Sequence, residues 1–464
     1  MPSSLSAPVI DTKGKLPQFW ATDVIFFANL LELFFGNEQK TNELEEIVGE
    51  VDSYGGRLVP ILNLLFQGEQ NLLVLERHSA GALNDYFAGE LGLSLPETII
   101  MSPEEYRLAG EAILEGNQQL IQDRLSKVAP HGGTRLDGYV TDDILLGIAK
   151  ALNKETVASQ DGCWRGNNKL LLHRFLEAQN LPTPPTGLAS NPSEVASCLQ
   201  SLFEQGFEEA VLKSQIGASG IGILRIKDIG SFNGSRTKEI PSHLFYEGEI
   251  MVQGWLQPDG GAVKAIHSPS VQMFLDEEQV WLFDVTEQIL SHESVHEGNV
   301  SPPPYLSSIE GSRDELFRQA SMAGKWLHAQ GYRGTASTDF LFVERGDSST
   351  PEVYVCEINA RVTGATYPSL LARHFTPDGH WLMQNLRLKE AMDGDELLSV
   401  LRDAGLLYQK GRAEGILPIN FNFGSDDRIH KGQFLCLAPT HELCWNLLEK
   451  AERMLPVDWH ADRD

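Results

Sequence analysis

Two acidic residues and an amide stand where a strand–turn–strand unit would gather them. In Val-Tyr-Val-Cys-Glu-Ile-Asn (353–359), period-two alternation places Val353, Val355, Glu357 and Asn359 on one face. In Ser-Thr-Asp-Phe-Leu-Phe-Val (337–343), Asp339 shares a face with Leu341 and Val343. With residues 346–350 as the loop and Ser348 at its centre, antiparallel pairing sets Asp339 directly opposite Glu357, and such partners have Cβ atoms about 4.5–5.5 Å apart. Facing carboxylates repel unless a cation joins them. With the amide oxygen of Asn359 they make a set of hard oxygen donors suited to Mg²⁺. A solvated hairpin with scattered acids is the plainer alternative.

Three further motifs bear on chemistry. Val-Leu-Lys-Ser-Gln-Ile-Gly-Ala-Ser-Gly-Ile-Gly-Ile (211–223) ends an apolar strand on Lys213 and continues as a loop with Gly217, Gly220, Gly222, Ser214 and Ser219. Glycines let a backbone approach phosphate closely, and successive N–H groups make an anion nest. The spacing is neither a Walker loop nor a dinucleotide fingerprint, and a glycine-rich hairpin turn would look the same. Arg361, two residues past Asn359, stays on the acid-bearing face if the strand continues. A guanidinium there would stabilise developing oxyanion charge. The third motif belongs to another class. His292-Glu293-Ser294-Val295-His296 reads HExxH, with Glu315 downstream. On a helix it would give a zinc hydrolase two ligands and a general base. Ser294, Val295, Gly298 and Pro302–Pro304 make a poor helix.

The elements that must position these residues read as mixed α and β. Residues 72–76 form a short apolar strand, and the apolar run 19–35 reads as a buried helix behind a loose polar tail, 1–15. A helix near 140–153 would be capped by Thr141, with Asp142 and Asp143 at its positive end. Residues 160–168 are polar and turn-rich, and Lys169–Gln179 is helical up to Pro182, Pro184 and Pro185. Asn191-Pro192-Ser193-Glu194 starts a helix ending near Gly206. Strands follow at 210–213, 221–226, 250–256 and 271–283, turning at 276–278. A helix over 313–330 leads into the hairpin 336–359, and 381–464 is a further α/β region without a nameable motif. The fold class is α/β or α+β.

Composition removes other classes. The 464 residues hold 37 Lys and Arg against 64 Asp and Glu, a formal charge of −27. So acidic a chain is a poor partner for nucleic-acid backbones or anionic membranes. Asp23, Asn29 and Glu32 interrupt the run Phe19–Phe35, which falls short of the roughly 20 apolar residues of a membrane span, and no small-residue cleavage site follows it. Five cysteines without a CxxC pair argue against disulfides or thiolate zinc and for a reducing, cytoplasmic compartment.

Taken in order, these pieces resemble the ATP-grasp superfamily over roughly 160–375. Asn168-Lys169 opens a helix before a proline-rich turn; Lys213 precedes a loop similar to the mobile phosphate flap; Met251-Val252-Gln253-Gly254-Trp255-Leu256 is similar to the interdomain hinge that holds adenine. Asp339, Glu357 and Asn359 resemble the magnesium ligands, and Arg361 the arginine two residues beyond them. Residues 268–273 (SPSVQM), Glu287-Gln288 and EINARVTGATYPSLL (357–371) are similar to the pheganomycin-type peptide ligases. The hinge departs from the family: Gln253 stands where glutamate is usual, leaving Asp259 for the ribose.

The resemblance implies an N-terminal pre-ATP-grasp domain (1–160), a two-subdomain ATP-grasp domain with antiparallel sheets (161–380, lid about 185–252) and a C-terminal region packed on it (381–464). It implies ATP held by Lys169, Lys213, Ser214, Ser219, Gly220, Gln253, Trp255, Leu256 and Asp259. The metal would be one or two Mg²⁺ ions, with Mn²⁺ as a substitute. The activity implied is ligation of a small-molecule carboxylate to an amine, an amino acid or short peptide, through an acyl phosphate, with ADP and phosphate released. Residues 284–305 and 362–374 would shape the two substrate pockets. Kinases of small molecules and nucleotide-binding modules without catalysis share the same pieces.

Overall fold

The computed structural model describes the chain apart from residues 1–4, 13, 50–52, 233–235, 259–261, 291–295, 347, 349, 425 and 458–464. Among the described residues the strands form sheets of five, four and ten strands. The first grows from the apolar run near the N-terminus. Val24–Phe27 is a strand buried along its whole length, flanked in parallel by Leu72–Leu75 and Arg135–Gly138. Glu97–Ile100 and Glu155–Thr156 close the two edges. The helix expected over 19–35 is therefore a central strand followed by a short 3₁₀ turn, Leu30–Phe34. A strand covered on both faces loses its alternation, and a short apolar run then reads equally well as a buried helix. Asp142, not Thr141, caps helix Asp143–Ala151, accepting from the Leu145 N–H at 3.0 Å. The expected turn at 160–168 is mostly helix, Gln160–Gly166, opened by the Ser159 hydroxyl.

The four-stranded sheet is antiparallel, in the order Thr186–Ala189, Ile250–Gly254, Ala210–Ala218, Ile221–Ile226. Helix Pro192–Glu204, capped by Asn191 with proline at its first position, covers it. Val195, Leu199, Leu212, Ile250 and Val252 belong to a core separate from that of the neighbouring sheets, so this unit is internally cohesive. The loop expected over 214–222 is mostly strand. Lys213 pairs with Ile223 and Ala218 with Ile221 across a register break, and the turn contracts to the exposed Ser219 and Gly220.

Helix Glu38–Gly49 ties the N-terminal part to this sheet. Lys40 is fully buried, and its ammonium donates to Ser214 Oγ at 3.0 Å, the Ile216 carbonyl at 2.8 Å and the Glu247 carboxylate at 3.0 and 3.2 Å. The Glu247 side chain is itself 6% exposed.

The ten-stranded sheet carries the hairpin. Along it lie Val263–His267, Gly334–Arg345, Pro269–Leu275, Val280–Leu290, His296–Ser301, His380–Met392, Ile429–Ala438 and Gly415–Phe423. Glu352–Asn359 pairs with Gly334–Arg345, and Val9–Asp11 joins Val280–Leu290 in parallel. Asp339 lies opposite Glu357 as the spacing predicts, but Phe340 pairs with Val355, leaving Cys356 as the extra residue of a bulge. The bulge changes which residues share a face. Val353, Val355 and Ile358 enter the core, while Glu357 and Asn359 border the cleft.

Lys40 supplies a stability test. Lys40→Met leaves Glu247 unpaired in the interior and should lower the unfolding free energy by roughly 3–5 kcal/mol. Adding Glu247→Leu should recover most of that loss. Urea denaturation of both variants measures the difference, and a single variant as stable as the double would contradict the pair's role.

Candidate active site

Residues opposite one another across strands share a face. Two rungs of polar side chains therefore cross the large sheet: Glu357, Asp339, Ser270 and Thr286 on one, and Asn359, Ser337, Gln272 and Asp284 on the next. Ser270 donates to Asp339 Oδ1 at 2.6 Å and Ser337 at 3.3 Å, while Gln272 donates to Ser270 at 2.8 Å. The acids are thus fixed from behind by hydroxyls and an amide.

Cations face them from the other side. Lys169, at the first position of helix Lys169–Ala178, sits 2.9 Å from Glu357 Oε2 and donates to the Gly217 carbonyl at 2.9 Å. One ammonium therefore joins the acid hairpin to the glycine hairpin. Arg361 donates to Asn359 Oδ1 and to Asn167 Oδ1, each at 2.5 Å. Burial pushes Asp339 up to about 6, and the neighbouring Glu357 charge adds to the rise. Burial presses on Glu357 as well, but Lys169, Arg361 and Lys213 overcome it and hold that carboxyl below its ordinary value. Burial lowers the Arg361 pKa, and the two acids oppose that effect.

Asn359 turns its Nδ2 toward both acids, 2.8 Å from Asp339 Oδ2 and 3.4 Å from Glu357 Oε1. An amide donor thus stands between two carboxylates where a cation would satisfy them better. Rotating the amide presents its oxygen instead and completes three hard oxygen donors. That donor set fits Mg²⁺.

The remaining expected residues divide. Lys213 is half-buried, its charge acts on Glu357 and Cys356, and it makes no ion pair or hydrogen bond among the described residues. Ser219 and Gly220 form the exposed tip of the glycine hairpin. Ser214 does not reach the cleft: it is fully buried, accepts from Lys40, and donates to the carbonyls of Ile216 and Gly222. In the hinge strand, Gln253 is buried and donates to Thr186 Oγ1 at 2.9 Å, so its side chain holds the sheet together. Trp255 lies under the Arg225 guanidinium, 4.3 Å from the ring centroid, with half-buried Leu256 beside it. Asp259 lies outside the described residues, as do His292 and Glu293 of the HExxH pattern. His296 begins strand His296–Ser301, not a helix, and Glu315 pairs with Arg318 at 2.7 Å. The helical geometry that a zinc hydrolase requires of this pattern is therefore not present at His296.

Sequence reasoning missed Asn167, Ser270 and Gln272. The last two left a signal, polar residues alternating within an apolar strand. Asn167 left none, because its partners Ala360 and Arg361 lie far along the chain.

Residues 166–365 match the ATP-grasp domain family. Over 252 residues the chain is 26% identical to the [butirosin acyl-carrier protein]–L-glutamate ligase of Niallia circulans, covering 53% of this chain and 55% of that protein. The chain thus spans about half the length of that curated relative. The biotin carboxylase domain of 2-oxoglutarate carboxylase from Hydrogenobacter thermophilus, solved with MgADP, superposes with a TM-score of 0.58 at 11% identity, covering 94% of this chain and 91% of that one. The L-amino acid ligase of Bacillus licheniformis gives 0.52 at 12% identity, covering 95% and 99%. At these identities the two structures establish the fold.

The acid pair makes a pH-dependent prediction. Asp339 binds its proton more tightly folded than unfolded. Its ionised form therefore costs stability above about pH 6, and the cost fades as pH falls toward the ordinary carboxylate range. Without divalent ion, Asp339→Asn should raise the unfolding free energy at pH 8 by on the order of 1 kcal/mol, with no gain near pH 4. Urea titrations at both pH values check this; a loss of stability at pH 8 would show that the ionised acid is not under strain.

Proposed function

We propose that this chain, whose residues 166–365 are an ATP-grasp domain, is an ATP-dependent carboxylate–amine ligase. The observation that carries the reading is Lys169, held at once by Glu357 and by the backbone of the glycine hairpin. It joins the acids that would hold Mg²⁺ to the flap that would cover phosphates. Asp339, Glu357 and Asn359 would hold the ion, which supplies neutralisation of charge on the β- and γ-phosphates. Lys169 and Lys213 would meet phosphate oxygens directly. The hairpin turning at Ser219 and Gly220 would exclude water from the reacting carboxylate. Arg361, fixed by Asn167, would face the oxyanion that develops when an amine attacks the activated acyl carbon.

The work of the protein is positioning and charge compensation. An amino acid or short peptide fits as a substrate, in keeping with the L-glutamate named for the Niallia circulans relative. No helix among the described residues is long and apolar enough to cross a membrane.

Purified chain given ATP, Mg²⁺, a carboxylic acid and an amine should yield ADP and phosphate. Hydroxylamine in place of the amine should trap a hydroxamate of the acid. AMP as the nucleotide product would overturn the mechanism, and a stable phosphorylated product without amine would make the protein a kinase. Lys213→Ala should raise the KM for ATP roughly tenfold, because it meets charge already present in the ground state. Arg361→Ala should lower kcat roughly 10²-fold or more, because it meets charge that develops later. Steady-state kinetics separates the two, and equal losses of ATP affinity with unchanged turnover would contradict both roles.

A further inference from the structure

Arg57 is a half-buried cation that makes no ion pair among the described residues. It ends the turn Tyr54-Gly55-Gly56-Arg57, which is wedged between the five-stranded sheet and strand Gly415–Phe423. A Cβ on Gly55 would stand 2.4 Å from Glu76 Oε2 and 2.9 Å from the Ala28 Cβ, and one on Gly56 would stand 2.4 Å from Asn420 Oδ1. Only glycine fits at either place. Ser53 fastens the turn by donating to the Phe421 carbonyl at 2.9 Å and accepting from Asn420 Nδ2 at 2.8 Å. This construction puts the half-buried Arg57 guanidinium over the Tyr367 ring, 5.5 Å from its centroid, with Nε donating to the Tyr54 carbonyl at 2.7 Å.

No carboxylate pairs with Arg57 among the described residues. The acid whose charge reaches it, Glu76, accepts from the Gly55 N–H at 3.0 and 3.2 Å, and burial lifts its pKa to about 7. Buried guanidinium is costly unless paired. Side chains bonded to two of its neighbours, Tyr367 and His296, hold amide oxygens that lack donors. Gln433 donates to Tyr367 Oη at 2.8 Å and to Asn385 Oδ1 at 3.0 Å, which leaves its own Oε1 buried without a partner. Asn299 has Nδ2 2.7 Å from His296 Nε2, and its Oδ1 is likewise buried and unpartnered. Gly364 brings the segment 361–367 against this cluster, since a Cβ there would stand 3.0 Å from the His296 ring.

A fixed cation lacks an anion, and two fixed acceptors lack N–H donors. An α-amino acid, or a peptide C-terminus, carries a carboxylate and an N–H on the same carbon. We infer that Arg57, Tyr367, Gln433 and Asn299 form a recognition site for the α-carboxylate and adjacent N–H of an amino-acid substrate; this rests on the ligase reading and specifies one of its substrates. The carboxylate held here is not the one that is activated. The titratable neighbours of Arg57 include Glu76, Tyr139 and Tyr367, whereas those of Arg361 include Glu357 and Asp339. The two sites are nonetheless joined by a short run of chain, since the six steps from Arg361 to Tyr367 span at most about 20 Å.

The test uses the full chain with MgADP, measuring thermal shifts with the twenty L-amino acids and with their α-carboxamides as probes. At least one amino acid should raise the melting temperature while its carboxamide does not. In Arg57→Gln the amino-acid response should fall by 10- to 100-fold in apparent affinity, the loss expected for one charge-assisted pair, with the MgADP response kept. Equal responses to acid and carboxamide, no response to any amino acid, or an unchanged response in Arg57→Gln would overturn the assignment. If Arg57→Gln fails to fold, Gln433→Leu, which removes one of the proposed acceptors, assigns the response to this site: an amino-acid response left unchanged by it would overturn the assignment. Absence of a MgADP shift in the unaltered chain would instead strike the ligase reading itself.

Discussion

Asp339 and Glu357 face one another across a single rung of a hairpin, and like charges at that distance repel. Much of the surrounding structure serves to make the arrangement tolerable. Lys169 answers Glu357, Ser270 and Ser337 donate to Asp339, and Asn359 places an amide donor between the two. Arg361 closes the set, aimed by Asn167 from the turn after helix Gln160–Gly166, almost two hundred residues away. The cancellation is incomplete, since Asp339 keeps a raised pKa, and an incompletely satisfied pair of acids is what a divalent cation would seek. Residual repulsion and the proposed magnesium site are two sides of one electrostatic fact.

Three sheets divide the labour around that pair. The ten-stranded sheet sets the acids in register with the hydroxyls and amides behind them. The four-stranded sheet, with its own core, brings the glycine hairpin down onto Lys169. The parallel sheet supplies no residue to the acid cluster, yet the connection between its strands Val24–Phe27 and Leu72–Leu75 carries Lys40, buried against the four-stranded sheet, and Arg57, beside Tyr367.

What the sequence disclosed follows from the range of each interaction. The Asp339–Glu357 pairing was legible because hairpin alternation is local. The bulge at Cys356 was not, because one extra residue leaves no mark on composition, and Val353 and Val355 consequently fell on the wrong face. The strand Val24–Phe27 read as a helix because burial on both sides erases the period-two signal. Residues 160–168 read as a turn because Gly and Asn outweighed the Ser159 cap. Ser214 looked like a phosphate contact because a serine in a glycine-rich run suggests one. Its actual partner, Lys40, lies so far back in the chain that no local pattern could name it. Arg57 was invisible for the same reason: only the folded arrangement shows that no carboxylate among the described residues pairs with it.

The two lysines beneath the flap have a consequence for the catalytic cycle. Lys40 grips the Ile216 carbonyl and Lys169 grips the adjacent Gly217 carbonyl, so neighbouring peptide groups of one strand are clamped by cations from different parts of the chain. In a ligase whose nucleotide lay beneath this strand, its departure past the strand would require at least one clamp to let go, which returns a buried ammonium to water. The slow event in each turnover would then be departure of product, not the making of the bond. Under that regime a more reactive substrate gains nothing, and a thicker solvent slows the enzyme where a somewhat poorer nucleophile does not.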